Sequence, residues 1–200
     1  IFHRYAQQPH PDAVPGMTMG PHGWHFDRTN TWFNQGATWL QYVTRCQYLL
    51  QQGLFVADLA YFTGENAPLP TREQSSLSPA LPPGHDFDHV HTETVLSRMR
   101  VENGRIVLPD GMSYRALVLP NSTTMTLEVL RKIRDLVEQG MCLVGPRPEH
   151  SPNLTGYPAS ETEVRRIAGE VWGNLNGTTV TERAFGKGRV FWGQPLRAVL

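Results

Sequence analysis

Short apolar runs alternate with amphipathic helical patterns along the second half of the chain, and this alternation constrains the fold most. "YRALVLPN", "MCLVGPRP" and the earlier "LFVADLAYFTGE" are continuous apolar stretches closed by Gly, Pro or Asn. Runs of that kind suit strands buried on both faces, as in parallel sheets. Between and after them come helices. In "TLEVLRKIRDLVEQG", Leu127, Leu130, Ile133, Leu136 and Val137 fall on one face and Gly140 closes the segment. "SETEVRRIAGEVWG" opens with the Ser160…Glu163 spacing of a capping box. Strand–helix–strand–helix at this spacing predicts a three-layer α/β domain with a mainly parallel sheet, over residues 54–200.

Two hairpins decorate it. "RVENGRIVLPDG" carries Asn103-Gly104 as a tight turn, and "GTTVTERAFGKGRVFWG" turns at Gly-Lys-Gly. The Pro- and Ser-rich stretch from 66 to 84 reads as a long loop. "HDFDHVHTETVLSRM" reads as the start of a helix, with Asp88 or Thr92 as cap and Val95, Leu96 and Met99 buried. A metal reading of residues 85–91 lacks a defined ligand spacing, so a solvated helix start is preferred.

Residues 1–53 do not belong to that core. "IFHRYAQQ" alternates as a short strand, and a Gly-, Pro- and His-rich loop follows. From Thr31 to Gln52 the residues Trp32, Gly36, Trp39, Val43, Cys46 and Leu50 recur at steps of four and three, one face of a helix of about six turns. Thr29 or Asn30 suits its N-cap and Gly53 its stop. The first and last residues read as cut from something larger: "IFHRYAQQP" has neither an initiator Met nor a leader pattern, and "QPLRAVL" reads as a helix just begun.

Charge is balanced, 18 basic against 18 acidic residues, and gives no electrostatic case for nucleic acid or a membrane surface. No run of about 18 apolar residues exists for a membrane span. Cys46 and Cys142 have no CxxC or Cys/His spacing around them and read as buried thiols. Neither a metal nor a cofactor is expected, and localisation is left open.

Three stretches carry a resemblance: "PGMTMGPHGWHFDRTNTWF", "RCQYLLQQGLFVADLAYF" and "NGRIVLPDGMSYRALVLP…TMTLEVLRKIRDLVEQG". Over almost the whole chain they resemble bacterial α-L-rhamnosidases of glycoside hydrolase family 106. That resemblance implies the last strand and helix of a (β/α)8-type catalytic barrel over residues 1–53. A flavodoxin-like domain, similar to class I glutamine amidotransferases, would follow over 54–200. The loop between strand and helix would then line one wall of a sugar pocket, because such barrels act at the C-terminal ends of their strands. Trp24 could stack on a sugar face, and His25, Asp27, Arg28 and Asn30 could bond its hydroxyls, with His3 and Gln7 reaching in from the strand. Equally, Asp27 and Arg28 could form a local ion pair and Asn30 a helix cap; Trp32 and Trp39 fit core packing.

Hydrolysis of a glycoside needs two carboxyl groups on opposite sides of the bond. The resemblance implies glutamates from earlier barrel strands, which match no residue here, so no catalytic residue is assigned. The implied partners are a rhamnose-containing glycan and the remainder of the barrel, with self-association through the helix as a further expectation. Free-standing alternatives are an amidotransferase-like or a flavin-binding domain. The first lacks a nucleophile elbow, since Cys142 lies within a strand pattern; the second has only "FTGENAPLP" as a loose phosphate loop.

Overall fold

The structure, a computed structural model, describes residue 12, residues 31–66 and residues 73–200. The chain divides into two compact units, residues 1–54 and residues 55–200.

In the first unit the described element is helix α1, Gly36–Leu50. It is shorter than the expected 31–52, because residues 31–35 form turns. The expected caps Thr29 and Asn30 lie outside the described residues, and Gln35 takes the N-cap position with no side-chain hydrogen bond. At the other end Gly53 has φ +98, two residues beyond the C-cap Gln51. The least exposed residues are Gly36, Leu40, Val43 and Cys46. Trp39 and Leu50, expected inside, are 49% and 85% exposed. The inner stripe therefore runs through Leu40, one position along from Trp39. Of the expected stripe, Gly36, Val43 and Cys46 are on the less exposed side, whereas Trp32, 39% exposed, Trp39 and Leu50 are not.

The second unit is built on a six-stranded sheet. Its strands are β1 (Leu59–Phe62), β2 (Phe87–Val90), β6 (Ala116–Val118), β7 (Cys142–Val144), β8 (Glu182–Phe185) and β9 (Gly188–Phe191), in the order β2-β1-β6-β7-β9-β8. Every pairing is parallel except β8 with β9, which form the expected hairpin. The sheet is thus mixed and mostly parallel. A second, antiparallel sheet of β3 (Arg100–Glu102), β4 (Arg105–Val107) and β5 (Ser113–Tyr114) is inserted between β2 and β6. Its turn has Asn103 at φ 51 and Gly104 at φ 75, the paired positive φ angles that make Asn-Gly a hairpin signal.

Period-two alternation sorts the central strands onto two faces. Ala60, Phe62, Leu117, Leu143 and Val190 join one core with helices α2 (Leu127–Gln139) and α3 (Ala159–Trp172), through Val129, Leu130, Ile133, Val164, Ile167 and Trp172. Leu59, Tyr61, Ala116, Val118, Val144 and Phe191 join the other, with Leu77 and with Leu196 from the four-residue helix α4 (Leu196–Val199). Each fully buried Leu or Ile contributes about 1.5–3 kcal/mol.

Three expectations are corrected here. The strand expected over residues 54–62 begins only at Leu59, and Leu54, Phe55 and Val56 are exposed. Pairing starts where the Asp58 and Leu59 N–H groups reach the Asp86 carbonyl and the Arg115 N–H reaches Asp58 O. Only the first half of the "HDFDHVH" reading fails: residues 87–90 form the edge strand β2. The helical stretch starts at Thr92, one of the two expected caps, and passes into a π-helical turn, Thr94–Arg98, with Val95 and Met99 buried and Leu96 partly buried, as expected. An edge strand keeps one side near water, so its polar residues mimic a solvated helix face. The capping box of α3 is also absent: Pro158 is the N-cap and Glu163 bonds Arg166 instead. The Ser160 N–H already donates to Gly156 O, which places Ser160 inside the first turn.

The Pro/Ser segment is also tied down where it is described. A 3-10 turn, Gln74–Ser76, leads to buried Leu77, and Tyr61 Oη donates to Pro79 O at 2.9 Å.

Candidate functional site

The residues proposed from sequence to contact sugar, His3, Gln7, Trp24, His25, Asp27 and Arg28, all lie outside the described residues. A different place in the second unit brings polar side chains together. In an open parallel sheet the loops at the carboxyl ends of the strands form the ligand-binding edge, above all where the strand order reverses. Here that point lies between β1 and β6.

Glu65, three residues after β1, crosses it. Its Oε2 accepts the Thr126 N–H and its Oε1 the Thr126 hydroxyl, both at 2.7 Å. Thr126 is in turn the N-cap of α2, and its Oγ1 accepts the Val129 N–H. A helix N-terminus attracts anions through its free N–H groups and its dipole. The chain's own carboxylate meets that demand here, which opposes the binding of a flavin phosphate at this point.

Beside this cap a cleft of about 790 Å³ runs between the first turns of α2 and α3. Leu127, Glu128 and Arg131 line it from α2, and Ala159, Ser160 and Glu163 from α3. Ser151, Asn153, Thr155 and Gly156 line it from the loop after β7, with Thr92 and Glu65 completing the wall. Asn153 Oδ1 accepts the Thr155 N–H and the Ser151 hydroxyl, so the loop holds its own shape. Glu163 bonds Arg166 and sits 3.8 Å from Arg131. Ser160 is 4% exposed, and its Oγ has no hydrogen-bond partner. Sequence reasoning singled out Ser160 only as a cap and left Glu65 and Asn153 without a role. The available signal was Gly64-Glu65 at the end of a buried strand, a position that favours backbone turns and exposed side chains.

Two carboxylates at the start of α3 are engaged by neighbouring donors. The Ser151 N–H, followed by the His150 side chain, lowers the pKa of Glu161; Arg166, followed by Arg131, lowers that of Glu163. A general acid of a glycosidase needs the reverse shift. Burial pushes the Cys142 thiol up to about 11, which suppresses the thiolate a nucleophile requires. Cys46 and Cys142 are free thiols, only half-buried where full burial was expected. In the 85–91 stretch His85 Nδ1 lies 2.6 Å from Asp58, Asp88 accepts from Tyr114 Oη and His91 Nδ1 meets Thr63 Oγ1. Among the described residues no three His, Cys, Asp or Glu side chains converge, and no helix is long and apolar enough to cross a membrane.

Comparison with known proteins places the chain. A Formosa agariphila protein provisionally named a beta-glucuronidase is 40% identical over 174 residues, which span 86% of this chain and 14% of that protein. The solved structure of a rhamnosidase from Novosphingobium sp. PP1Y superposes with a TM-score of 0.76 at 29% identity, covering 92% of this chain and 17% of that one. The chain therefore spans less than a fifth of either relative. The family model for α-L-rhamnosidase, glycoside hydrolase family 106, matches residues 1–200. With its mostly parallel α/β sheet and its likeness to a solved rhamnosidase, the chain belongs to the α-L-rhamnosidase family of glycoside hydrolases.

Proposed function

We propose that this chain is a non-catalytic part of a multidomain enzyme that hydrolyses α-L-rhamnosides. Residues 1–53 are the last strand, loop and helix of its catalytic barrel, and residues 54–200 are a flavodoxin-like domain that follows. The observation that carries this reading is the family match along all 200 residues of a chain that spans only 17% of the solved rhamnosidase. Two further observations support it. The order β2-β1-β6-β7-β9, with the inserted small sheet set aside, corresponds to the flavodoxin-like order 2-1-3-4-5. In the second unit the carboxyls whose pKa shifts are held down, opposite to what protonating a leaving group needs.

On this reading Trp24, His25, Asp27, Arg28, His3 and Gln7 contact substrate, and the two carboxyl groups come from the remainder of the barrel. Cys142, inside a strand with its thiol pushed up, speaks against an amidotransferase. Glu65 on the α2 N-terminus speaks against a flavodoxin-type phosphate site.

The test is an aryl α-L-rhamnoside assay on the full-length protein and on the 200-residue chain, with an aryl β-D-glucuronide alongside. Turnover of the rhamnoside is expected from the full-length protein alone. Trp24→Ala in that protein lowers kcat/KM, by up to about a hundredfold if stacking sets the sugar's position. Turnover by the 200-residue chain, or a full-length enzyme that cleaves only the glucuronide, would overturn the reading.

A further inference from the structure

We propose that a pocket at the starting ends of β6, β7 and β9 binds a doubly charged oxyanion, a phosphate or sulfate group. It lies at the opposite edge of the sheet from the cleft between α2 and α3, and the inference does not rest on the hydrolytic reading.

Four cations converge here from separate segments. Arg115 stands just before β6, Lys187 and Arg189 come from the turn and second strand of the β8–β9 hairpin, and Arg105 follows the Asn103-Gly104 turn of the small sheet. Together they line a space of about 290 Å³, and among the described residues no Asp or Glu side chain lines it. A concave surface walled by one sign of charge concentrates the opposite ion. The charges reach a common point: burial raises the Cys142 thiol pKa, and Arg189 and Arg115 both act against it.

Neighbours neutralise two of the four. Arg189 pairs with Glu182 and lies 5.0 Å over the Phe191 ring. Arg115 sits 3.9 Å from Asp58, which His85 also contacts, and donates to the Leu200 main-chain oxygen. Arg105 bonds the hydroxyl and carbonyl of Ser113, both neutral. The Lys187 ammonium has no hydrogen bond or ion pair among the described residues. The carbonyl end of α2, at Gly140, offsets about half a charge. Arg105 and Lys187 thus carry the excess, which a dianion matches and a neutral sugar does not. A guanidinium presents a planar fork to phosphate or sulfate oxygens, and an ammonium a point charge. A volume of about 290 Å³ stands at the lower end of the roughly 300–1,000 Å³ of small-molecule sites, which suits a small oxyanion better than an oligosaccharide.

Cys142, half-buried in the pocket lining, is a native reporter, and Cys46, in the first unit, is its internal control. On the full-length protein, maleimide labelling of each cysteine is read by peptide mass spectrometry at constant ionic strength, with inorganic sulfate, inorganic phosphate, methyl phosphate or D-glucose added. Sulfate and phosphate should slow labelling at Cys142 in a saturable way and leave Cys46 unchanged, and D-glucose should alter neither. Tighter shielding by methyl phosphate than by inorganic phosphate would assign the oxyanion to an ester, and weaker shielding to the free ion. Lys187→Gln and Arg105→Gln, both at exposed positions, should each raise the half-saturating concentration about three- to tenfold, and Lys187→Arg should keep it. Shielding that chloride reproduces at the same ionic strength, or that both Gln variants leave unchanged, would overturn the proposal. So would an absence of shielding, the result expected if chain following Leu200 fills the pocket.

Discussion

Glu65 caps a helix that begins sixty-two residues after it in sequence, its carboxylate taking both the N–H and the hydroxyl of Thr126 at 2.7 Å. The loop after β1 is thereby tied to α2 across the point where the strand order reverses. One helix-terminal N–H and the capping hydroxyl are satisfied together, and a negative charge sits on the positive end of the helix dipole.

Loss of that carboxylate should destabilise the second unit. Glu65→Ala is expected to cost about 1–2 kcal/mol, and Glu65→Gln about half as much because an acceptor oxygen remains. Urea titration of the three proteins checks the order; a neutral Glu65→Ala would mean that Thr126 caps the helix unaided.

Trp172 and Gly145 form a second joint, between α3 and the end of β7. Fully buried Trp172 donates its indole N–H to Gly145 O at 3.0 Å. Trp172→Phe keeps most of the ring but leaves that carbonyl unpaired, a loss of about 2–3 kcal/mol. Gly145 itself has φ +147, and an added Cβ would stand 2.6 Å from Leu119 Cβ. Gly145→Ala should therefore cost at least as much, through strain and overpacking together. Thermal denaturation of both variants measures this.

Alkaline pH should weaken the fold. Burial raises the Cys142 thiol to about 11 and the Tyr61 phenol to about 12. For a group whose pKa is raised on folding, the stabilisation is complete below the unfolded value and disappears as pH climbs to the folded one. The window thus opens near pH 8.5 for Cys142 and near pH 10 for Tyr61, taking about those values for the unfolded groups. Chevron or equilibrium unfolding across this range should give falling stability, and Cys142→Ala should flatten its lower part. At pH 8.5 a maleimide should label Cys142 roughly two orders of magnitude more slowly than an unhindered thiol.

Leu77 ties the Pro/Ser segment to the sheet. It is 7% exposed and belongs to the core formed with Leu59, Tyr61 and Val118. Leu77→Ala should cost about 2–3 kcal/mol and speed hydrogen exchange over residues 74–81. Exchange in that stretch as fast in the native protein as in the variant would show that the segment is not held there.

The parts legible in the sequence are those that local patterning alone determines. The face of α2 through Leu130, Ile133, Leu136 and Val137 follows from a 3.6-residue period, and all four are buried. The Asn103-Gly104 turn follows from which residues tolerate positive φ. Continuous apolar runs located β6 and β7, because a strand in the middle of a sheet is dry on both faces.

Tertiary structure decided the rest, where a residue's role depends on a partner far along the chain. Phe87–Val90 is a strand only because β1 offers it a parallel edge; its own polar residues suit a helix start equally well. The beginning of β1 at Leu59 is set by where Asp86 and Arg115 meet the backbone of Asp58 and Leu59. Ser160 looks like a cap until the preceding turn uses its N–H. Nothing local to Gly64-Glu65 names Thr126 as its partner, and nothing local to Asn153 or Arg131 places them in one cleft. Such pairings have no period or spacing to read, because they are distances in space between segments whose approach the folded sheet alone determines.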